Sequence, residues 1–207
     1  MSGGDASGAR RPLLITDCDE VLLHMVSHFA AWLDETHDVD FTPHDFGMTR
    51  RIDGSALDRD EAWPLLGGFF DTEMHRQTLV PHAREALAEI STYADIVILT
   101  NLEDRRHPDR VAQLRGFGID FRVMTNQGGK GIPVKALLAD YAPSAAVFVD
   151  DLAVHHQSVA DEAPEVWRLH MISEPSLAPK VPAAPAAHAR IDDWIDASTW
   201  IAEKLKP

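Results

Sequence analysis

Residues 13–21 read "LLITDCDEV", an apolar run of strand character that ends in two aspartates and a glutamate. A single residue separates Asp17 from Asp19, and Glu20 follows directly. Carboxylates held this close repel one another, and the end of a strand needs none of them for its stability. The acidic pair therefore indicates a bound cation or a reactive centre at the end of this strand.

Four other segments share the apolar character of this first one. Together the five predict buried strands of a parallel sheet, because they run mostly without alternation and a turn or helix follows each one. They span residues 13–17, 95–100, 121–125, 146–150 and 166–171. Helical patterns lie between most of them, such as "PHAREALAEIST" with its proline in the first turn. This alternation predicts an α/β fold with a doubly wound parallel sheet and right-handed crossovers.

The first crossover is much longer than the dozen or so residues that a parallel connection needs. Long excursions inside compact domains are usually lids or binding loops. We expect residues 22–79 to form a small, mainly helical cap, opened by one helix over residues 21–37. Residues 12–21 and 80–207 would form the core, and residues 1–11 a disordered tail. Near the end, the proline-rich stretch "SEPSLAPKVPAAPAAHA" predicts an extended loop, and "RIDDWIDASTWIAEKL" a closing helix.

Composition limits the partners. The formal net charge of −14 argues against binding to a nucleic-acid polymer, which requires a basic surface. A small phosphorylated substrate remains compatible, provided that a local cation offsets the repulsion. No stretch approaches the roughly 20 apolar residues that span a bilayer, so no membrane partner is expected. The single cysteine, Cys18, excludes an internal disulfide and suits the cytoplasm. The sequence does not indicate the oligomeric state.

Ligands of doubly wound sheets bind at the carboxyl ends of the strands. These ends, with one helix start, supply four acids, a hydroxyl, an amide and an amine: Asp17, Asp19, Asp150, Asp151, Thr100, Asn101 and Lys130. Carboxylates this close require a cation, and oxygen ligands with room for water and phosphate favour Mg²⁺.

With the ion bound, Asp17 can attack a phosphorus and form an aspartyl-phosphate. Asp19 can protonate the leaving oxygen and later deprotonate the hydrolytic water. Thr100 and Lys130 would hold the transferring oxygens.

Four segments in this order, "DCDEV", "ILTN", a lysine before a helix and "FVDD", resemble the motifs of the haloacid dehalogenase-like hydrolase superfamily over nearly the whole chain. The resemblance implies that Asp17 is the nucleophile, Asp19 the acid and base, and Thr100 and a lysine the phosphate ligands. It also implies Mg²⁺ held by Asp17, Asp150 and the backbone carbonyl of Asp19. Asp151 would then act through water or from outside the ligand set.

Two positions depart from the family pattern or leave a choice. Glu20 stands where family members often have glycine, which puts the conformation of this loop in question. Lys130 and Lys135 both precede the fourth strand at plausible distances. Lys130 is favoured, because it follows two glycines at a helix entrance, where backbone amides also bind anions.

The insertion suggests a further similarity, to the 5'(3')-deoxyribonucleotidase branch, through its short length, the "GGFF" stretch and the tryptophans of the tail. Phe69 and Phe70 would then stack a nucleobase, although packing of the cap against the core is the favoured interpretation of both residues. His24, one helical turn beyond Asp19, is a candidate substrate contact. His155 and His156 are expected to be exposed or to cap a helix.

Two other functions use similar parts. A phosphomutase of the same fold would protect its phospho-enzyme from water, and this alternative stays open. Receiver modules of signalling systems place their phospho-acceptor aspartate after the third strand, but here that strand ends in "MTNQGG". The sequence therefore favours a Mg²⁺-dependent phosphomonoester hydrolase.

Overall fold

The computed structural model describes residues 10–43 and 45–206, so most of the predicted disordered tail lies outside the described residues. The elements in chain order are β1 (Leu13–Thr16), β2 (Leu23–His24), α1 (Val26–Thr36), β3 (Val39–Thr42), β4 (Gly47–Arg50), α2 (Arg59–Thr72), β5 (Thr78–Leu79), α3 (Ala83–Ser91), β6 (Asp95–Thr100), α4 (His107–Gly116), β7 (Arg122–Thr125), α5 (Gly131–Tyr141), β8 (Ala146–Asp150), α6 (Ala153–Glu162), β9 (Trp167–His170), β10 (Ala189–Arg190) and α7 (Trp194–Leu205). None of the described helices has the length and apolar character that crossing a bilayer requires.

Six parallel strands form the central sheet in the order β10-β9-β8-β1-β6-β7. The chain moves outward from β1 through β6 to β7, then returns to the other side of β1 and continues outward from β8. The strand order therefore reverses between β1 and β8, which is where such sheets bind their ligands. This arrangement confirms the predicted doubly wound α/β fold.

The sheet is buried on both faces, which explains why its central strands read as continuous apolar runs. Successive side chains of a strand point to opposite faces. Accordingly, Leu14 joins the core under α3 and α7, whereas Leu13 and Ile15 join the core under α5 and α6. All four residues of β1 are fully buried, so this strand lies at the centre of the fold.

The end of the chain differs from the prediction. A sixth strand, β10, pairs with β9 inside the stretch expected to be loop and helix, and the closing helix, α7, begins at Trp194. Two residues at a sheet edge are too few for an apolar pattern to develop. Asp193 sets the helix start, because its side chain accepts a hydrogen bond from the Asp196 amide at 3.0 Å.

The excursion between β1 and β6 supplies most of a further apolar cluster. Its members come mainly from α1, from the hairpin of β3 and β4, and from α2, with Phe29 and Phe69 fully buried, and the core adds Leu102, Ile172 and Leu177. The hairpin was not predicted, so the segment is less helical than expected. The expectation of one helix over residues 21–37 is also wrong in its first turn, because residues 23 and 24 form β2, which pairs with β5. The boundaries of the cap at residues 22 and 79 stay a prediction.

Candidate active site

The carboxyl ends of three adjacent strands bring the predicted residues together. Asp17 follows β1 directly, Thr100 is the last residue of β6, and Asp150 is the last residue of β8. Because β1 lies between β6 and β8 in a parallel sheet, these three side chains share one edge. Lys130 precedes α5 and reaches the same edge.

A buried ion cluster links these strand ends. The ammonium of Lys130, with no exposed surface, lies 2.8 Å from Asp17 Oδ1 and 2.7 Å from Asp150 Oδ2. Burial opposes its charge, but the adjacent carboxylates of Asp150 and Asp17 outweigh this effect and raise the pKa of Lys130. Lys135, by contrast, is exposed and pairs with Glu162 at 3.2 Å. Lys130 is therefore the lysine that lies at this site.

One lysine does not balance the negative charge of the cluster. Oxygen atoms of Asp17, Asp150 and Asp151 lie within 4.8 Å of one another. Burial raises the pKa of Asp17 to about 7, against the attraction of Lys130. Burial, and then the charges of Asp150 and Asp17, also raise the pKa of Asp151 well above its ordinary value. The donor set consists of hard oxygens with an unbalanced charge, and it fits Mg²⁺.

Asp150 and Asp151 differ in the hydrogen bonds that they already make. Asp150 Oδ1 accepts from the Leu152 amide at 2.9 Å, and Oδ2 accepts from Lys130. The carboxylate of Asp151 accepts no hydrogen bond from the residues that the structure describes. These contacts leave the carboxylate of Asp151 freer than that of Asp150 to bind a metal directly, whereas the family resemblance implied Asp150 as a ligand and Asp151 acting through water or from outside the ligand set.

Two buried histidines hold the backbone of this acidic pair. His156 Nε2 lies 3.0 Å from the Asp150 carbonyl, and His170 Nε2 lies 2.8 Å from the Asp151 carbonyl. The Ala184 amide donates to His170 Nδ1 at 3.0 Å, so the proton of that ring resides on Nε2. Burial lowers the pKa of His156 to about 4, which keeps this ring neutral.

The expectation that His155 and His156 are exposed or cap a helix is wrong. His156 is fully buried, and His155 retains only 4% of its surface. Both rings belong to the first turns of α6, which packs back against the end of β8. His155 Nε2 lies 3.3 Å from Asn101 Nδ2 and therefore borders the site.

Thr100 and Asn101 play different parts at the end of β6. The Thr100 hydroxyl is fully buried and has no hydrogen-bond partner within the described residues. Buried hydroxyls seldom remain unpaired, so this one fits an oxygen of a bound phosphate. Asn101 instead braces the loop before Lys130, because its amide donates to the Gly128 carbonyl at 3.0 Å and accepts from Asn126 at 2.9 Å.

Asp19 is held by two residues that the sequence did not reveal. Arg110 Nη2 lies 2.9 Å from both carboxylate oxygens of Asp19, and Gln77 Nε2 donates to Oδ1 at 2.6 Å. Arg110 is fully buried, and its Nη1 lies 3.2 Å from the Cys18 sulfur. Burial raises the pKa of the Cys18 thiol, which makes this cysteine a poor nucleophile.

Comparisons with known proteins agree on the fold. No protein-family model matches the chain, and a search of curated proteins finds no match. Solved structures do match over nearly their whole length. A HAD-superfamily hydrolase of subfamily IA from Geobacter sulfurreducens is 18% identical with a TM-score of 0.60, and the match covers 95% of this chain and 99% of that one.

Two further structures give the same result. The Bacillus subtilis protein YfnB, assigned to the HAD hydrolases and solved with magnesium, is 12% identical with a TM-score of 0.63 over 96% of this chain and 100% of its own. A candidate beta-phosphoglucomutase from Thermotoga maritima is 16% identical with a TM-score of 0.58 over 93% and 99% of the two chains. This chain has the haloacid dehalogenase-like fold. The resemblance inferred from the four motifs is thus confirmed at the level of the fold.

Glu20 is an unusual residue in this haloacid dehalogenase-like fold. It adopts a φ of 60°, in the left-handed region that favours glycine, and it is almost fully buried. Its Oε1 accepts hydrogen bonds from the amides of Met25 at 2.7 Å and Val26 at 2.6 Å, and these bonds fix the start of α1. Burial raises the pKa of Glu20 to about 7. The hydrogen bonds of the Glu20 side chain thus offset the backbone strain that a glycine at this position would avoid.

A cavity of about 540 Å³ lies over the aspartates of the haloacid dehalogenase-like core. Phe70 lines it, as predicted for a substrate contact. Phe69 does not, because its ring is fully buried among Phe29 and Trp32 and has no surface for a nucleobase. His24 is also absent from the lining, because it lies on β2 with its Nδ1 4.0 Å from Glu174.

Proposed function

We propose that this protein is a phosphomonoester hydrolase that depends on Mg²⁺ and forms an aspartyl-phosphate on Asp17. One observation carries the proposal. Asp17, Lys130, Asp150 and Asp151 form a buried, unbalanced ion cluster at the strand-order reversal, and the cavity opens above it. The unpaired hydroxyl of Thr100 on the neighbouring strand supports a phosphate at this position.

The metal would be held by Asp17, Asp151 and the backbone carbonyl of Asp19, the last being implied by the family resemblance. When bound, Mg²⁺ supplies positive charge that offsets the carboxylates and the phosphate oxygens, and it orients the phosphate for in-line attack. The chain itself contributes the cation of Lys130, which already lies between the nucleophile and Asp150.

The reaction then has two displacements. An oxygen of Asp17 attacks phosphorus, the bond from phosphorus to the leaving oxygen breaks, and Asp19 gives that oxygen a proton. Water next attacks the phosphorus of the aspartyl-phosphate, Asp19 accepts the proton of this water, and inorganic phosphate leaves from a regenerated Asp17. Thr100 and Lys130 hold the transferring oxygens in both steps.

Asp19 must turn from its resting partners to transfer a proton. In the structure its oxygens face Arg110 and Gln77. We infer that substrate entry draws Asp19 away from Arg110 and toward the leaving oxygen. We also propose that residues 22–79 act as the cap, because their apolar cluster carries one wall of the cavity.

A phosphatase assay with p-nitrophenyl phosphate tests the proposal. Phosphate release should require Mg²⁺, stop with EDTA and return on adding Mg²⁺, and Asp17→Asn should abolish it. Asp95→Asn, at the opposite end of the adjacent strand, is the matched control and should remain active. Activity of Asp17→Asn above a few per cent would reject the nucleophile.

Incubation with acetyl phosphate separates the alternatives. A hydrolase releases phosphate continuously from Asp17. A long-lived phospho-form without turnover would instead support a receiver-like switch, and transfer of the phosphoryl group to an added sugar phosphate would support a phosphomutase.

A further inference from the structure

The cavity above Asp17 has walls of two kinds. Its polar lining residues all belong to the core, at the strand ends of the acidic site and at the start of α6: Asp17, Asp19, Glu20, Asn101, Asp151 and His155. The remaining core residues, Leu152 and Ala153, are apolar. Every lining residue contributed by the insertion of residues 22–79 is apolar, and so is every one contributed by the loop after β9. A substrate would thus place its phosphate at a polar site and the rest of its structure against hydrocarbon.

Aromatic rings dominate the wall that faces the acidic site. Trp63 on α2 is 52% exposed, Phe46 at the turn of the hairpin is 41% exposed, and both line the cavity beside Phe70. The Phe46 ring stacks on Phe29, with 6.1 Å between the centroids, which ties this exposed ring to the buried cluster. Rings held in this way offer flat apolar surface without first having to be ordered.

The cations near the cavity are already engaged. Arg110 lies behind Phe70 and binds Asp19, and Lys130 is fully buried between two carboxylates. No lysine or arginine belongs to the cavity lining among the described residues. A second phosphate or a carboxylate on the substrate would therefore meet no lysine or arginine of the lining to offset its charge.

The adjoining cavity beyond Phe70 does not change this conclusion. Arg59 and Arg106 line that neighbouring space. Arg106 donates to Asp71 at 2.7 Å and to the Gly67 carbonyl at 3.0 Å, so its hydrogen bonds are used. Arg59 lies over the Trp63 ring, with 5.4 Å to the centroid, and does not line the cavity above Asp17.

We propose that the substrate is a phosphate monoester whose leaving group is uncharged and apolar, an aryl or arylalkyl alcohol, seated against Trp63, Phe46 and Phe70. The proposal rests on the proposed function and names the substrate class of that site. Ribose hydroxyls and the edge of a nucleobase would lose their hydration against these walls without gaining hydrogen bonds, which is costly. An apolar leaving group has no hydrogen bonds to water to lose, and burial of its surface against these walls favours binding.

Four esters of primary alcohols test the proposal, because similar leaving groups separate binding from intrinsic reactivity. They are 2-phenylethyl phosphate, its ring-carboxylated analogue, ribose 5-phosphate and a deoxynucleoside 5'-monophosphate. We expect kcat/KM to be highest for 2-phenylethyl phosphate, by at least about tenfold over each of the other three. An equal or higher value for any of the three would overturn the assignment of the substrate class.

Variants of Trp63 test the wall itself. Trp63→Ala should lower the ratio of kcat/KM for 2-phenylethyl phosphate to that for ethyl phosphate by about tenfold. Trp63→Arg should raise kcat/KM for the carboxylated analogue, because it adds a cation where the wall has none. Trp167→Ala removes an exposed tryptophan outside the cavity and serves as the matched control, with wild-type ratios expected. An unchanged ratio in Trp63→Ala would contradict the proposal.

The two proposals fail in different ways. If no ester releases phosphate in the presence of Mg²⁺, the proposed function is wrong, and the substrate class falls with it. If all four esters are hydrolysed without preference for the apolar one, the phosphatase stands and only the substrate class is wrong.

Discussion

Replacing Lys130 with methionine isolates the ion cluster, because methionine keeps the length of the side chain and removes its charge. The ammonium lies 2.8 Å from Asp17 and 2.7 Å from Asp150, with no exposed surface. Removing one partner of a buried ion pair leaves an uncompensated charge and costs about 3–5 kcal/mol. For a chain of this size, that loss lowers the melting temperature by roughly 6–20 °C.

The cost in Lys130→Met should depend on pH. Burial raises the pKa of Asp17 to about 7 even beside the lysine, and losing the lysine would raise it further. At pH 5 Asp17 is protonated, so the Lys130→Met variant has less uncompensated buried charge than at pH 8. Its loss of stability relative to wild type should therefore be smaller at pH 5 than at pH 8. Mg²⁺ should restore stability at pH 8, by about 2.7 kcal/mol at a concentration one hundred times its dissociation constant.

Urea denaturation in EDTA, at pH 5 and pH 8, measures these free energies of unfolding. Lys135→Met is the matched control, since Lys135 is exposed and its pair with Glu162 should contribute less than about 1 kcal/mol. A loss in Lys130→Met no greater than in this control would refute the view that Lys130 compensates the buried acids.

Three further predictions concern the acids. Because burial raises the folded-state pKa of Asp17 to about 7, the metal-free protein should lose stability as the pH rises from about 4 to 7, relative to Asp17→Asn. Asp151→Asn should weaken Mg²⁺ binding, measured by calorimetry, by at least about tenfold more than Asp150→Asn, because Asp151 has the free oxygens. Arg110→Met should lower the free energy of unfolding, measured with urea, by about 3–5 kcal/mol, because the carboxylate of Asp19 loses its cationic partner. The same variant should lower kcat.

Each of these predictions has a result that would contradict it. Parallel pH profiles of wild type and Asp17→Asn would show that Asp17 does not titrate in this window. Equal Mg²⁺ affinities in Asp150→Asn and Asp151→Asn would remove the distinction between anchor and ligand. For Arg110, Arg115→Met is the control, since Arg115 lies on the same helix and forms an exposed pair with Asp120. Equal stability of the two arginine variants would refute the role of Arg110.

The sequence predicted the parts of the fold that burial determines. The strands β1, β6 and β8 are apolar except at their ends because both faces of the sheet are covered, so each stands out as a continuous apolar run. The hairpin of β3 and β4 was not predicted because each strand has four residues and only one buried side chain, Val39 in β3 and Met48 in β4. The strand β10 is shorter still and lies at an edge.

The acids of the site could be predicted because each lies at the end of a strand or within a few residues of it. Their partners could not be predicted. Arg110 lies 91 positions from Asp19, and an arginine within a helix ordinarily indicates an exposed position. His156 and His170 act on backbone carbonyls, which no side-chain pattern records. Only the folded chain brings these residues to the acidic centre.

Diffraction from crystals grown with Mn²⁺ in place of Mg²⁺ tests the central claim most directly, because the anomalous signal locates the ion independently of its ligands. We predict one strong peak at bonding distance from carboxylate oxygens of both Asp17 and Asp151, and its loss in Asp17→Ala. An ion bound elsewhere, with no peak between these two side chains, would contradict the account.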